Sequence, residues 1–192
     1  MESALDRFIG SRAAHLAAFV WGLAEATFFF IVPDVLLSLL GCRSVRPAIR
    51  ATAAALAGAL AGGILMYSLG AAQPQTMRAF LDRVPAISSA LIESVESQID
   101  ERGLRAVMTG PLKGIPYKIY AVEWGARRGS MLSFLLISVP ARYTRFFLSA
   151  IAARGIAHLL RRWTKRRARV EMPILAIVWA GFYIFYFSRF GW

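Results

Sequence analysis

This chain is poor in the residues that most often do chemistry or cross-link a fold. It has one cysteine, Cys42, and two histidines, His15 and His158. A single cysteine excludes an intramolecular disulfide and any C-x-x-C metal or redox motif. The histidines stand far apart with no ligand partner at useful spacing, so neither a metal nor a cofactor is expected. There is no histidine with an acid partner and no nucleophile constellation, so the chain does not read as an enzyme. Acids are scarce too, with 11 Asp and Glu against 23 Lys and Arg and a net charge of +12. In a soluble chain that excess would suggest nucleic acid. Here it gathers in short segments beside apolar runs, which suits cytoplasmic loops touching anionic headgroups better. Nucleic acid is therefore not an expected partner.

What the chain has in quantity is apolar surface. Its 192 residues are 57% hydrophobic, whereas a soluble domain is typically about 45–50% apolar. The expected fold is an all-α integral membrane protein, a single membrane domain over residues 1–192. It combines transmembrane helices with two opposed re-entrant, broken-helix hairpins. Residues 1–12, with Glu2, Asp6, Arg7 and Arg12 around a few apolar positions, suit an interfacial helix.

Residues 13–41 form the first interrupted stretch. It is apolar to Val32 except for His15, Glu25 and Thr27, and then meets Pro33-Asp34. No small-residue cleavage pattern follows Phe28 to Val32, so a signal peptide is rejected. Asp34 is a good helix N-cap, and Val35 to Leu40 make a half-helix ending at Gly41. That arm is too short to span, which favours a re-entrant hairpin over a kinked membrane helix.

Arg43, Arg46 and Arg50 form a short basic loop. Residues 51–72 are an uncharged span carrying Gly58-x-x-x-Gly62, a spacing that lets another helix approach closely. Residues 73–105 mix charges with apolar positions at three- to four-residue spacing, as in amphipathic helices outside the bilayer core. Residues 106–126 hold the second interrupted stretch, Gly110-Pro-Leu-Lys-Gly-Ile-Pro-Tyr-Lys118, with Glu123 further on. Residues 131–153 are a span containing Pro140, Arg142 and Arg145. Residues 154–170 are a basic cytoplasmic loop. Residues 173–190 are the last span, with Trp179, Tyr183, Tyr186 and Trp192 as interfacial anchors. Putting the basic loops 43–50 and 154–169 inside sends 51–72 outward and brings the two hairpins in from opposite faces.

The stretch Glu25-Ala-Thr-Phe-Phe-Phe-Ile-Val-Pro-Asp34-Val-Leu-Leu resembles the first hairpin of the DedA (VTT, or SNARE-associated Golgi) membrane proteins, in their YqaA-like branch. Gly62-Gly-Ile-Leu-Met-Tyr67-Ser-Leu-Gly70 is similar to that family's Gly-rich span. Ile115-Pro-Tyr-Lys118 followed by Gly125 resembles its second hairpin, and Arg142-x-x-Arg145-Phe-Phe its paired-arginine helix. Glu123-Trp124 and Lys113-Gly114 depart from the family pattern. The resemblance implies a transporter that moves a phosphate-bearing lipid, a polyprenyl phosphate or a phospholipid, between leaflets of a bacterial cytoplasmic (inner) membrane. Ion coupling is implied as well, with protons as the candidate ion. An uncoupled scramblase and a non-transporting scaffold or assembly factor stand as alternatives, and a homo-oligomer remains open.

The charges fit that expectation. Glu25, Asp34, Lys113, Lys118, Glu123, Arg142 and Arg145 all lie in apolar stretches. Left unpaired at membrane depth, at roughly 3 kcal/mol each, they would cost on the order of 20 kcal/mol. Domain stability is roughly 5–15 kcal/mol. They must therefore face one another or a wet cavity. Arg142 and Arg145, at i,i+3, project from one helix face and can clamp a phosphate, with Lys118 and Lys113 as further cationic contacts. Glu25, Asp34 and Glu123 are the candidate proton-coupling acids. A static ion-pair network joining the two hairpins is the competing reading of the same residues.

Overall fold

A computed structural model of the chain describes residues 4–163 and 171–191. Residues 1–3, part of the proposed interfacial helix, lie outside the described residues. So do Lys165, Arg166, Arg167 and Arg169 of the proposed basic loop, and the anchor Trp192. Among the described residues the fold is entirely helical, with ten α-helices and one short 3-10 turn. They are α1 (Ala4–Ile9), α2 (Arg12–Thr27), α3 (Asp34–Arg43), α4 (Val45–Ala72), α5 (Pro74–Leu81), α6 (Ser89–Arg102), α7 (Arg105–Thr109), α8 (Tyr117–Ala126), α9 (Met131–Trp163) and α10 (Glu171–Phe190). The 3-10 turn covers Pro111–Lys113. Three helices are long and apolar enough to cross a membrane: Val45–Ala72, Met131–Leu160 and Glu171–Arg189.

α4 is the axis, and α2, α3, α8 and α9 all pack on it. The close approach of α2 depends on glycine. A Cβ on Gly62 would come 2.8 Å from both the Ala26 Cβ and the Leu23 carbonyl oxygen, and one on Gly58 would overlap the Phe19 backbone. Gly22 meets Ala55 in the same way, so α2 and α4 run in the same direction. The Gly58-x-x-x-Gly62 spacing thus serves helix packing, as the sequence suggested.

The chain turns at residues 28–33. Trp21 Nε1 donates to the Ile31 carbonyl at 2.9 Å, which folds the turn back against α2. α3 then packs along α9, with Cys42 Sγ 3.7 Å from the Ala153 carbonyl. α9 begins beside Tyr67, whose hydroxyl donates to the Gly129 carbonyl, and ends past Arg154, which reaches the Cys42 carbonyl at 3.3 Å. It is therefore antiparallel to α4, and α3 returns toward the start of α4. A second turn, at 110–116, brings the chain to Tyr117 beside Gly63, and α8 runs from there along the far half of α4. α3 and α8 thus both begin mid-molecule and point to opposite ends.

The structure differs from the sequence reading at several boundaries. α3 continues through Gly41 to Arg43, because Gly41 is not a terminator but the place where α3 touches the Ala150 backbone of α9. Asp34 is the first helical residue rather than an N-cap; the cap is Pro33, with no side-chain cap bond. The 43–50 stretch is not a loop. Pro47 falls within the first turn of α4, where the missing N–H has no helical partner to lose, so the helix opens at Val45 instead of 51. The span expected at 131–153 runs on as helix to Trp163, through Pro140 and into the stretch assigned to the basic loop. Its arginines are good helix formers.

The geometry separates Arg46 and Arg128, both exposed, to opposite ends of α4. Its 28 residues extend about 42 Å. In a Cys42→Ser background, single cysteines at these two positions should react with an impermeant maleimide from opposite sides of a sealed vesicle. Labelling from one side only would contradict α4 as a span.

Candidate functional site

Among the described residues, the charges singled out from the sequence fall into two groups, with Lys113 outside both. The first joins the two turns. Glu25 near the end of α2 is buried against Arg142 of α9, itself 1% exposed. Arg142 Nη2 bonds Glu25 Oε2, and Nη1 lies 3.4 Å from Oε1. The Arg142 guanidinium carbon also sits 4.6 Å from the Tyr117 ring centre and 5.0 Å from that of Phe146. A planar, weakly hydrated guanidinium between aromatic faces and a carboxylate is well suited to burial.

One turn further along α9, Arg145 is more open. Its Nη2 is 3.1 Å from Asp34 Oδ2 and 3.9 Å from Glu25 Oε1. The first is an ion pair without hydrogen-bond alignment. Arg145 Nε and Nη2 and Asp34 Oδ2 make no hydrogen bond among the described residues. Asp34 Oδ1 instead accepts from the Ser149 hydroxyl. Lys118, at the start of α8, donates to the Phe29 carbonyl at 2.8 Å, so the second turn grips the backbone of the first. Here the helix start and the break act together: Phe29 has no helical donor for its carbonyl, and Lys118 provides one.

These groups border a cavity of about 310 Å³. Phe29, Phe30 and Val32 line it from the first turn, and Pro111, Gly114, Ile115 and Pro116 from the second. Glu25, Asp34, Lys118, Arg145 and Ser149 reach its wall, while Arg142 is behind it. Three bases against two acids leave this cluster one formal positive charge. Trp179 and Tyr183 of α10 complete the wall. They were expected as interfacial anchors, but Tyr183 accepts from the Val32 N–H at 2.9 Å, and Trp179 donates to Ser38 Oγ at 2.9 Å. Pro85 and Ile87 lie over the cavity from the α5–α6 connection, where Ala86 takes the left-handed φ of 64°.

The second group holds Glu123 away from the first. Glu123 is fully buried and receives Arg78 of α5 at 2.7 Å and 2.8 Å and Arg127 at 3.0 Å. Arg78 continues to Glu96 at 3.0 Å, and Arg127 to Asp100 at 2.8 Å. The hydrogen bonds it donates to Glu123 hold the Arg78 guanidinium above the usual arginine range. This network fastens α5 and α6 to α8. Lys113 lies apart from both groups; it is exposed and outside the cavity wall. Ser149 and the partners of Glu123 were not singled out from the sequence as site residues, and Tyr183 was read there as an interfacial anchor. Among the described residues no cluster of His, Cys, Asp or Glu converges as metal ligands would.

No family model matches this chain, and comparison with curated proteins and with solved structures yields no match either. The class is defined by the fold and its site: an all-helical protein with three candidate membrane-spanning helices. At its centre is a charged cavity where two interrupted segments meet.

The closed and open ion pairs should respond differently to truncation. Arg142→Ala leaves Glu25 charged, buried and alone, which should cost about 3–5 kcal/mol. Arg145→Ala, at the edge of the cavity, should cost less than half as much. Reversible denaturation in detergent reads both, and equal losses would contradict the division.

Proposed function

We propose that this chain is a DedA-like transporter that moves a phosphate-bearing lipid between the leaflets of a bacterial cytoplasmic membrane. The observation that carries the reading is Arg145. It is a guanidinium at a cavity wall, whose Nε makes no hydrogen bond and whose Nη2 has an ion pair to Asp34 without hydrogen-bond alignment, in a cluster of net positive charge. Such a group is built for a tetrahedral anion, since arginine presents a fork of donors to phosphate oxygens. The two turns are read as re-entrant hairpins that enter from opposite faces and meet near the midplane, the arrangement of transporters with broken helices around a central site. Helices α3 and α8 both open toward the cavity, so their first turns add favourable dipole ends for an anion.

The roles divide between the two arginines. Arg145 and Lys118 contact the phosphate, and Arg142 holds Glu25 and so positions the helix that carries Arg145. When phosphate engages Arg145 it competes with Asp34 for that arginine. Phosphate binding and proton uptake at Asp34 are then linked, each favouring the other by the same factor. Glu25 borders the same cavity and is the second acid through which protons pass. Glu123, held by Arg78 and Arg127, serves to fasten the outer helices rather than to carry protons.

Purified protein in liposomes should move labelled lipid phosphate between leaflets. Arg145→Ala should slow this at least tenfold while leaving expression intact. The rate should change across pH 5.5 to 8.5, and Asp34→Asn should flatten that profile. No movement by the wild-type protein would favour a scaffold, and movement flat with pH would favour an uncoupled scramblase.

A further inference from the structure

The charged cavity adjoins an apolar groove. α9 and α10 both lie against α3 but hardly against each other, and the space left between them is a groove of about 170 Å³. Ser149 and Trp179 border both spaces, so the two adjoin at these side chains. On the α9 side the groove is walled by Ala152, Ala153 and Ala157, whose small side chains leave it open, and on the α10 side by Leu175 and Val178. Glu171 lies at the end away from the charged cavity.

The pattern along α10 is continuous. Residues 171, 174, 175, 178 and 179 face the groove, and 179, 182, 183 and 186 face the cavity. These positions recur at three- and four-residue steps, so one face of one helix serves both spaces. That face starts at Glu171, is apolar from Ile174 to Val178, and carries Tyr183 and Tyr186 at the other end. The stretch from Ser149 to Leu160 that walls the groove is about 16 Å long. One leaflet is half of a hydrocarbon core roughly 30 Å thick. Ile156 and Val178 are 53% and 57% exposed, so the groove opens sideways along the outer face of the helices.

We propose that this groove holds one hydrocarbon chain of the lipid whose phosphate occupies the charged cavity; the proposal rests on the reading of that cavity given above. A phosphate at Arg145 places the ester oxygen near Ser149 and Trp179, and the chain leaves along the alanine wall. The cavity reads the headgroup, and the groove reads the presence of a single flexible chain. Soluble phosphate compounds gain nothing from the groove and are discriminated against by the lost apolar burial.

The full chain in a sterol-based detergent, which brings no flexible alkyl chain of its own, allows the test by titration calorimetry. The probes are dodecyl phosphate, inorganic phosphate and dodecanol. Wild-type protein should bind dodecyl phosphate at least tenfold more tightly than inorganic phosphate. Ala152→Phe places a ring in the groove from an exposed position on α9 and should erase that advantage while leaving inorganic phosphate binding unchanged. Ala153→Phe, one residue deeper, should do the same. If both variants bind dodecyl phosphate as the wild type does, the groove does not hold the chain and the proposal is overturned. If dodecyl phosphate and dodecanol bind equally, are both weakened by Ala152→Phe and both ignore Arg145→Ala, the groove stands and the phosphate reading of the cavity fails.

Discussion

The buried pair of Glu25 and Arg142 is the constraint on which the central architecture depends. Glu25 ends the straight part of α2, and Arg142 lies midway along α9, 117 residues later. Neither charge reaches solvent, and burying either alone would cost several kcal/mol. Each therefore fixes the position of the other, and through them the first turn is held against α9. Tyr117 stacks on Arg142 and donates to Ser138 at 2.9 Å, which ties the start of α8 to the same point. Lys118, next along, closes on the Phe29 carbonyl. Three stretches distant in sequence, at 25–29, 117–118 and 138–142, are brought to one place because a small number of charges must find partners in an apolar interior.

That place is not fully closed, and the difference between its two arginines is what gives it a function. Arg142 is enclosed by Glu25 and by aromatic faces, with its Nε alone left without a hydrogen bond. Arg145 has an ion pair with Asp34 but retains unsatisfied donors beside open volume. A guanidinium at a cavity wall, held by an ion pair without hydrogen-bond alignment, is a site prepared for an anion, and the carboxylate it already has is the group that an anion must displace. The Glu123 network shows the contrast within the same molecule: its carboxylate receives two arginines and does not line the charged cavity.

The sequence made the apolar helices and the two interruptions legible, because Pro33-Asp34 and the Pro111 to Pro116 stretch break hydrophobic runs that would otherwise continue. It also made Glu25, Asp34, Lys118, Arg142 and Arg145 visible as charges out of place. It could not reveal which of them pair. Glu123 looked like its neighbours by composition, yet its partner Arg78 lies 45 residues earlier on a helix outside the spans. Gly41 looked like a helix end because glycine serves both termination and close approach, and only the presence of Ala150 decides between them. Pro140, placed within a span from the sequence, lies inside α9. The aromatic residues of α10 looked like interfacial anchors, and only the third dimension turns Trp179 and Tyr183 toward the cavity.

The central claim is that a lipid phosphate sits beside Arg145 in the cavity between the two turns. Native mass spectrometry of the protein extracted from its membrane measures this without choosing a substrate in advance. The account predicts a retained lipid bearing a phosphate monoester or diester on the wild-type chain, and its loss from Arg145→Ala under the same extraction. A protein that retains no phosphate-bearing lipid, or an Arg145→Ala variant that retains it undiminished, would contradict the account.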